Sequence, residues 1–389
     1  MAFSEWFLSR KTKQGLFTKQ NTLMNMSIGA IDQIFSLAHF VLFILFLDYM
    51  YDNYRIFTLK ITWYHWIICY VAIDFVSYWY HRFSHRINIL WAGHVTHHSS
   101  SYFNFTNGFR TSPFQGLNRI LFWGILPILG FSTSVLFTTF IISGIYDFFL
   151  HTQNFPKIKW LETIFITPSL HKVHHGKNDV YIDKNYGSTF VIWDKLFGTF
   201  QDETEPVVYG IISENYKDND PVQAIFLHYR YLLNMMKRIA SWKNKLKLLF
   251  MPPDWIPDDL NKNEELVLKM KVETNKLHKV YGFYQFISSS LGILFILVYK
   301  NILNPFVFGL LAAIFLTGMI TGTKILTDAI NHKFERNELI RNLLFLMCLF
   351  FCIGKIDTLY VLPIFCFLLF SLFFLIFFIK IFKKNSLTN

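Results

Sequence analysis

Six apolar runs, at roughly residues 28–50, 61–80, 280–299, 305–322, 342–355 and 358–380, constrain this chain more than any other feature. About 20 such residues is the length an α-helix needs to cross the hydrocarbon core of a bilayer. A further stretch, 117–150, is long enough for a helical hairpin turning near Gly130-Phe131-Ser132. Pro127 and Gly130 shorten its first arm, which suits a re-entrant segment. The expectation is an all-α, polytopic integral membrane protein of about eight spans or re-entrant helices, with a cytosolic helical cap. A chain that is 53% hydrophobic and carries 45 phenylalanines agrees, being too apolar for an ordinary soluble protein.

The net charge of +11 invites a nucleic-acid reading, but its distribution argues against one. With a cytosolic N-terminus and eight crossings, only Arg55, Lys60, Lys300 and Lys355 of the 37 basic residues fall outside. That is the bias of the positive-inside rule, and basic residues facing anionic lipid need no polynucleotide partner. The chain then divides into a polar basic leader (1–27) without a removable signal peptide, a membrane block carrying the chemistry (28–250), a Pro-rich and charged connector (251–279), and a C-terminal membrane block (280–389). Cys69, Cys348, Cys352 and Cys366 all sit in apolar runs without a metal-ligand spacing, and read as small hydrophobes.

Chemistry concentrates in three histidine clusters beside those runs. They are His81 and His85 (H-x3-H), His94, His97 and His98 (H-x2-H-H), and His171, His174 and His175 (H-x2-H-H). Residues three or four apart share a helix face, so each cluster can aim its imidazoles together. Eight imidazoles exceed what one four-coordinate ion accepts, which points to a two-metal centre. All three clusters fall on the cytosolic side of the proposed topology. His151 stands alone but has Asp147 four residues before it, and becomes a ninth candidate ligand, with Asp147 a candidate ligand or water anchor. Asp74, one heptad before His81 and inside an apolar run, is expected to hold His81 through its other ring nitrogen. Thr167-Pro168-Ser169 reads as the capped start of a helix bearing the third cluster.

Several other chemistries lack their residues. There is no H-E-x-x-H for a zinc protease and no G-x-G-x-x-G for a built-in nicotinamide or flavin domain. Paired Glu-x-x-His helices of a soluble di-iron bundle are also missing. Imidazole suits iron as well as zinc, and iron, oxygen and apolar surroundings suit C–H oxidation of a lipid. A non-catalytic zinc-binding membrane protein is the competing reading.

The histidine set, with the segments around it, resembles the fatty acid hydroxylase/sterol desaturase superfamily, and within it the alkylglycerol monooxygenase branch. The carrying segments run from Asp74 to His85, Leu90 to Ser100, Thr167 to Gly176, Ile182 to Gly187 (I-D-K-N-Y-G), Ile192 to Phe200 (I-W-D-K-L-F-G-T-F) and Glu205 to Gly210. The resemblance implies a membrane monooxygenase with two non-haem iron ions and tetrahydrobiopterin as reductant. Its partners would be a membrane lipid substrate and molecular oxygen, with an external electron donor if it is not pterin-dependent. It also implies roles in or beside the site for Asp183, Asn185 and Tyr186, whereas Asp194 reads as part of a turn ending at Gly198. Three positions depart from the branch, which often carries an acid where this chain has Arg86 and Gln153, and another histidine where it has Leu170. The implied location is the endoplasmic reticulum in a eukaryote or the cytoplasmic membrane in a bacterium. Hydroxylation or desaturation of a fatty acyl, sterol or carotenoid substrate is the alternative within the superfamily.

Overall fold

Apolar runs become helices because a helix satisfies its own backbone polar groups wherever water is scarce. The computed structural model describes residues 1–211, 217–257, 274, 276–330, 333–351 and 364–376. Among them there is no extended strand; two isolated bridges pair Phe165 with Phe190 and Gly176 with Tyr209. The chain divides into two compact units, Met1–Asp218 with Val222–Glu265, and Asn219–Pro221 with Leu266–Asn389.

In the first unit, α1 (Ala2–Thr12) precedes α2 (Lys19–Tyr54), whose cap Thr18 accepts from the Asn21 N–H. At 36 residues, α2 is about 54 Å long, well beyond the bilayer core, so its ends reach past the hydrocarbon. The helices α3 (Trp63–Arg86) and α4 (Asn88–His98) follow, then α5 (Pro113–Trp123), α6 (Ile125–Ile128) and α7 (Thr133–Phe149). Four more helices follow: α8 (Pro168–His174), α9 (Ile192–Leu196), α10 (Pro221–Arg238) and α11 (Trp242–Phe250). An apolar core of Leu47, Cys69, Ile73, Trp123, Leu126 and Leu136 binds α2, α3 and the hairpin α5–α7. Phe35, Phe40, Val41, Leu42 and Leu45 stand exposed along α2, the pattern of a surface whose solvent is lipid.

Among the described residues, three helices are long and apolar enough to cross a membrane: α2, α12 (Lys276–Val298) and α13 (Pro305–Leu326). The expected run at 61–80 lies in α3 from Trp63 onward, but Tyr64, His65, Tyr70, Asp74 and Ser77 interrupt it and lower its hydropathy. The 117–150 hairpin is broken into α5, α6 and α7, and α7 has only 17 residues. The run at 342–355 begins within α14 (Phe334–Phe351), whose first half carries Glu335, Arg336, Glu338 and Arg341. The last run is described as the helix Ile364–Ile376. Residues 352–363 and 377–389, most of the charged connector, Cys352 and His332 lie outside the described residues.

Gly130 makes the hairpin turn. Its φ is +96°, and a Cβ there would sit 2.2 Å from the Phe57 carbonyl oxygen. Gly130→Ala therefore meets both a left-handed backbone penalty of about 1–2 kcal/mol and a collision with main chain. A drop of several degrees in the detergent-solubilised unfolding temperature is expected, read by the loss of tryptophan fluorescence.

In the second unit, α12 and α13 pack side by side at Gly282 and Gly322. A Cβ on Gly322 would come 2.7 Å from the Gly282 oxygen, so small residues set this approach. Glu338 is buried there, accepting from Tyr281 Oη at 2.6 Å and from Arg341 Nη2 at 2.5 Å.

Candidate metal centre

Helical spacing sorts the histidines into two groups, and it does so by splitting clusters rather than keeping them whole. His81, His85, His94, His98 and His174 form one group; His97, His151, His171 and His175 form the other. Within each group the candidate nitrogens all lie within 4.8 Å of one another. On α4, His94 and His98 (i, i+4) face the first group while His97 turns to the second. Around α8, His171 and His175 (i, i+4) face the second while His174 turns to the first. The expected single shared face of each H-x2-H-H cluster is thus divided between two groups, because the third histidine lies about 80° round the helix from the midline of the i, i+4 pair and so flanks that face on one side. Thr167 caps α8, with Pro168 in its first turn, as the sequence suggested. His151, just past the end of α7, joins the second group.

Whether these groups suit metal ions can be tested on their nitrogens. Two nitrogens held about 2.1 Å from one ion at a right angle lie about 3 Å apart. In the first group His81 Nε2 and His98 Nε2 stand 3.0 and 3.1 Å from His94 Nε2. In the second, His151 Nε2 lies 3.2 Å from both His97 Nε2 and His171 Nε2, and His175 Nε2 lies 3.2 Å from His171 Nε2.

Tautomers decide what those contacts are. His151 Nδ1 faces the Asp147 carbonyl at 2.8 Å and His97 Nδ1 the Arg110 carbonyl at 3.3 Å. A carbonyl only accepts, so each Nδ1 carries the proton and each Nε2 presents a lone pair. Two lone pairs meeting at 3.2 Å repel unless a cation lies between them. The first group repeats the pattern: His81 Nδ1 donates to the Tyr186 carbonyl at 2.9 Å and His174 Nδ1 to the Lys184 carbonyl at 2.8 Å. Buried Nε2 atoms of His85 and His174 have no hydrogen-bond partner. Gln115 Nε2 sits 3.2 Å from His94 Nδ1 while its own Oε1 is buried without a partner. An amide turned over has the same shape, and would give His94 the same Nδ1–H tautomer.

Burial, reinforced by neighbouring imidazoles, holds His94, His97, His98, His171 and His175 well below the usual histidine range. Burial pushes His151 and His174 down to about 4. All seven are therefore neutral at pH 7, the form in which imidazole binds metal. The residues present fit two all-nitrogen metal sites.

The loop 183–187 aims main-chain carbonyls at the first group. Asp183 and Asn185 both have positive φ, +60° and +53°, values that Asp and Asn tolerate better than other residues. Between and beside them, the Lys184 and Tyr186 carbonyls receive His174 and His81. Asn185 is fully buried and bonds Leu170 O, Gln201 O and Gln201 N–H, so it builds the turn. Tyr186 packs its ring 5.2 Å from that of His85 and donates its hydroxyl to Asp183 at 2.8 Å. Arg86 pairs with the other Asp183 oxygen at 2.5 Å, tying the end of α3 to this loop.

Two expected carboxylate roles change. Asp74 does not hold His81, whose Nδ1 is taken by Tyr186. Its oxygens instead accept from the Thr189 N–H (2.7 Å), the Phe190 N–H (3.1 Å) and Trp193 Nε1 (2.8 Å), because that loop brings unpaired donors against α3. Asp147 stands in neither histidine group: its side chain accepts from the Ser188 hydroxyl, and its main-chain carbonyl receives His151. Asp194, read as a turn residue, does close a turn, with Thr199 N–H on its carbonyl and φ +72° at Gly198. Its carboxylate also takes the Tyr186 and Gly187 N–H groups, both at 2.8 Å. Gln115 and Arg110, which orient His94 and His97, were missed by sequence reasoning; neither has a spacing that marks it.

Residues 66–199 match the fatty acid hydroxylase family. The chain is 32% identical to alkylglycerol monooxygenase of Homo sapiens over 292 residues, 72% of this chain and 64% of that protein. It is 36% identical to alkylglycerol monooxygenase of Danio rerio over 218 residues, covering 54% of this chain and 47% of that one. An ornithine lipid hydroxylase of Rhizobium tropici is 32% identical over 137 residues, 35% of this chain and 41% of that protein. The matches thus span about half to just under two thirds of the alkylglycerol monooxygenases' length. No solved structure matches. The matched segment, which contains all nine clustered histidines, is a fatty acid hydroxylase domain, and beyond it the chain's likeness is to the alkylglycerol monooxygenases.

Proposed function

We propose that this protein is an integral-membrane, non-haem di-iron monooxygenase that hydroxylates a lipid C–H bond, that of the ether carbon of alkylglycerols. The observation that carries the reading is the meeting of imidazole lone pairs in two buried groups, one of five histidines and one of four. Two irons, with dioxygen and a two-electron reductant, supply an oxidant able to insert one oxygen atom into an unactivated C–H bond.

The chain's own residues have three tasks. Nine neutral imidazoles hold the ions without adding negative charge, leaving the centre cationic. Carbonyls of Tyr186, Lys184, Arg110 and Asp147 fix four of the rings in the metal-binding tautomer. Phe103 and Tyr186, packed on the rings, exclude water from the reactive site. Hydroxylation of the ether carbon gives a hemiacetal, which collapses by breaking its C–O bond to a fatty aldehyde and glycerol; the second atom of dioxygen leaves as water. Tetrahydrobiopterin is the proposed two-electron donor.

In this reading residues 28–250 form the catalytic block, 251–279 a connector and 280–389 a second membrane block. Further runs beyond α2, α12 and α13 enter the bilayer, bringing the total to about eight spans or re-entrant helices. The centre lies on the cytosolic side, of the endoplasmic reticulum in a eukaryote or of the cytoplasmic membrane in a bacterium. Purified protein in lipid, given iron, oxygen, tetrahydropterin and an alkylglycerol, is expected to consume the ether lipid and release aldehyde, followed by lipid mass spectrometry. The similarity to an ornithine lipid hydroxylase favours a second reading, hydroxylation of another lipid. Turnover of an acyl or sterol substrate with a cytochrome or ferredoxin donor, and none of an alkylglycerol with pterin, would select it.

A further inference from the structure

The helix α1 has two unlike faces. Glu5 and Ser9 are buried, whereas Phe3 and Phe7, one turn apart on the opposite side, are 76% and 60% exposed. Arg10, Lys11 and Lys13 close the helix, with the Arg10 guanidinium over the Trp6 ring at 5.2 Å. Only six residues separate α1 from α2, a candidate membrane span. A helix tethered that closely to the mouth of a span, with exposed phenylalanines on one side and cations at its end, carries the aromatic and basic anchors that sit at a membrane interface.

The buried face reaches the metal centre. Glu5 Oε2 accepts from the Phe105 N–H at 2.7 Å, and Oε1 from the Thr152 hydroxyl at 2.5 Å and the Gln153 N–H at 3.3 Å. One carboxylate thus clamps two loops that are about 50 residues apart in sequence. One of them follows His151 directly. The other presents Phe103, whose ring lies 5.0 Å from His175 and 5.8 Å from His151, and Gln153 Nε2 adds a bond to the Phe103 carbonyl at 2.8 Å. No other acidic side chain serves these donors among the described hydrogen bonds. Sequence reading saw this segment only as part of a polar basic leader.

We infer that α1 is an interfacial helix seated on the protein's own membrane through Phe3 and Phe7, and that Glu5 is a positioning residue carrying this seating to the four-histidine group. The proposal rests on the reading that this group holds a metal, but its first tests do not need one.

The experiment uses the full chain in nanodiscs containing anionic lipid. Hydrogen exchange of segments 103–106 and 151–154 is measured for the parent and for Glu5→Ala and Glu5→Gln. Loss of the acceptor is expected to speed exchange there about tenfold in Glu5→Ala, the effect of roughly one hydrogen bond's free energy, and less in Glu5→Gln, which keeps one acceptor oxygen. Trp6 quenching by brominated lipid, taken as the difference from Trp6→Phe, is expected to be strong and to fall at least twofold in Phe3→Ser/Phe7→Ser. Iron per chain is expected to drop by about half in Glu5→Ala as the four-histidine group empties. Unchanged exchange in Glu5→Ala would overturn the clamp, and absent Trp6 quenching would overturn the seating. A parent protein that binds no iron, yet shows both the exchange and quenching effects, would instead count against the di-iron reading and leave the clamp standing.

Discussion

His94→Ala is expected to abolish turnover and to empty the five-histidine group, while membrane insertion is kept. His94 sits at the middle of that group, with His81 and His98 nitrogens 3.0 and 3.1 Å from its own. Alanine removes the nitrogen that both neighbours approach and opens a void where water can enter. Loss of a bond behind a ligand typically costs about 10–100-fold in metal affinity or activity, so loss of the ligand itself is expected to exceed that range. His228→Ala is the control. This histidine is half-buried, bonds Asn88 and lies outside both groups. Iron content near the parent value in His228→Ala, with a large loss in His94→Ala, separates a ligand from an imidazole held only by packing and a hydrogen bond. Equal iron and equal turnover in all three proteins would remove His94 from the site.

Asp194→Ala is expected to be the most destabilising single change near the centre. The side chain is fully buried, and its two oxygens take the Tyr186 and Gly187 N–H groups and the Thr199 hydroxyl. Truncation leaves two buried main-chain donors without an acceptor, at about 1–3 kcal/mol each, so a loss of about 2–6 kcal/mol is expected. The damage also has a direction. Tyr186 offers its N–H to Asp194 and its carbonyl to His81, so releasing one end of that residue unseats the other. Urea unfolding of the detergent-solubilised protein should show the stability loss, and iron titration a weakened first group. Asp194→Asn, which keeps one acceptor oxygen, is expected to fall between parent and alanine variants. An alanine variant as stable as the parent would show that those donors find other partners.

Much of the candidate site was legible because metal chemistry leaves a mark in residue type and spacing. H-x3-H and H-x2-H-H can be read directly, and His151 stood out through Asp147 four residues earlier. What spacing could not give was the sorting. His97 and His174 each leave the companions beside them in sequence and join imidazoles from distant segments, which depends on how α3, α4 and α8 cross. The supporting hydrogen bonds were harder still, since main-chain carbonyls carry no sequence signal. Asp74 shows the limit: its position one heptad before His81 was right for a shared face, yet the loop at 189–193 supplied stronger donors. The helices followed from hydropathy, but α3 carries enough tyrosine, histidine and aspartate to blur the line between a span and a helix lining the site.

The proposed chemistry requires two ions, one held by imidazoles in each histidine group. Metal analysis combined with X-ray absorption on the purified, lipid-embedded protein decides whether they are there. Two irons per chain, with a first shell of nitrogen or oxygen at about 2.1 Å and the multiple-scattering signature of several imidazoles, is the predicted result. A single zinc per chain, or a shell containing sulfur, would contradict it.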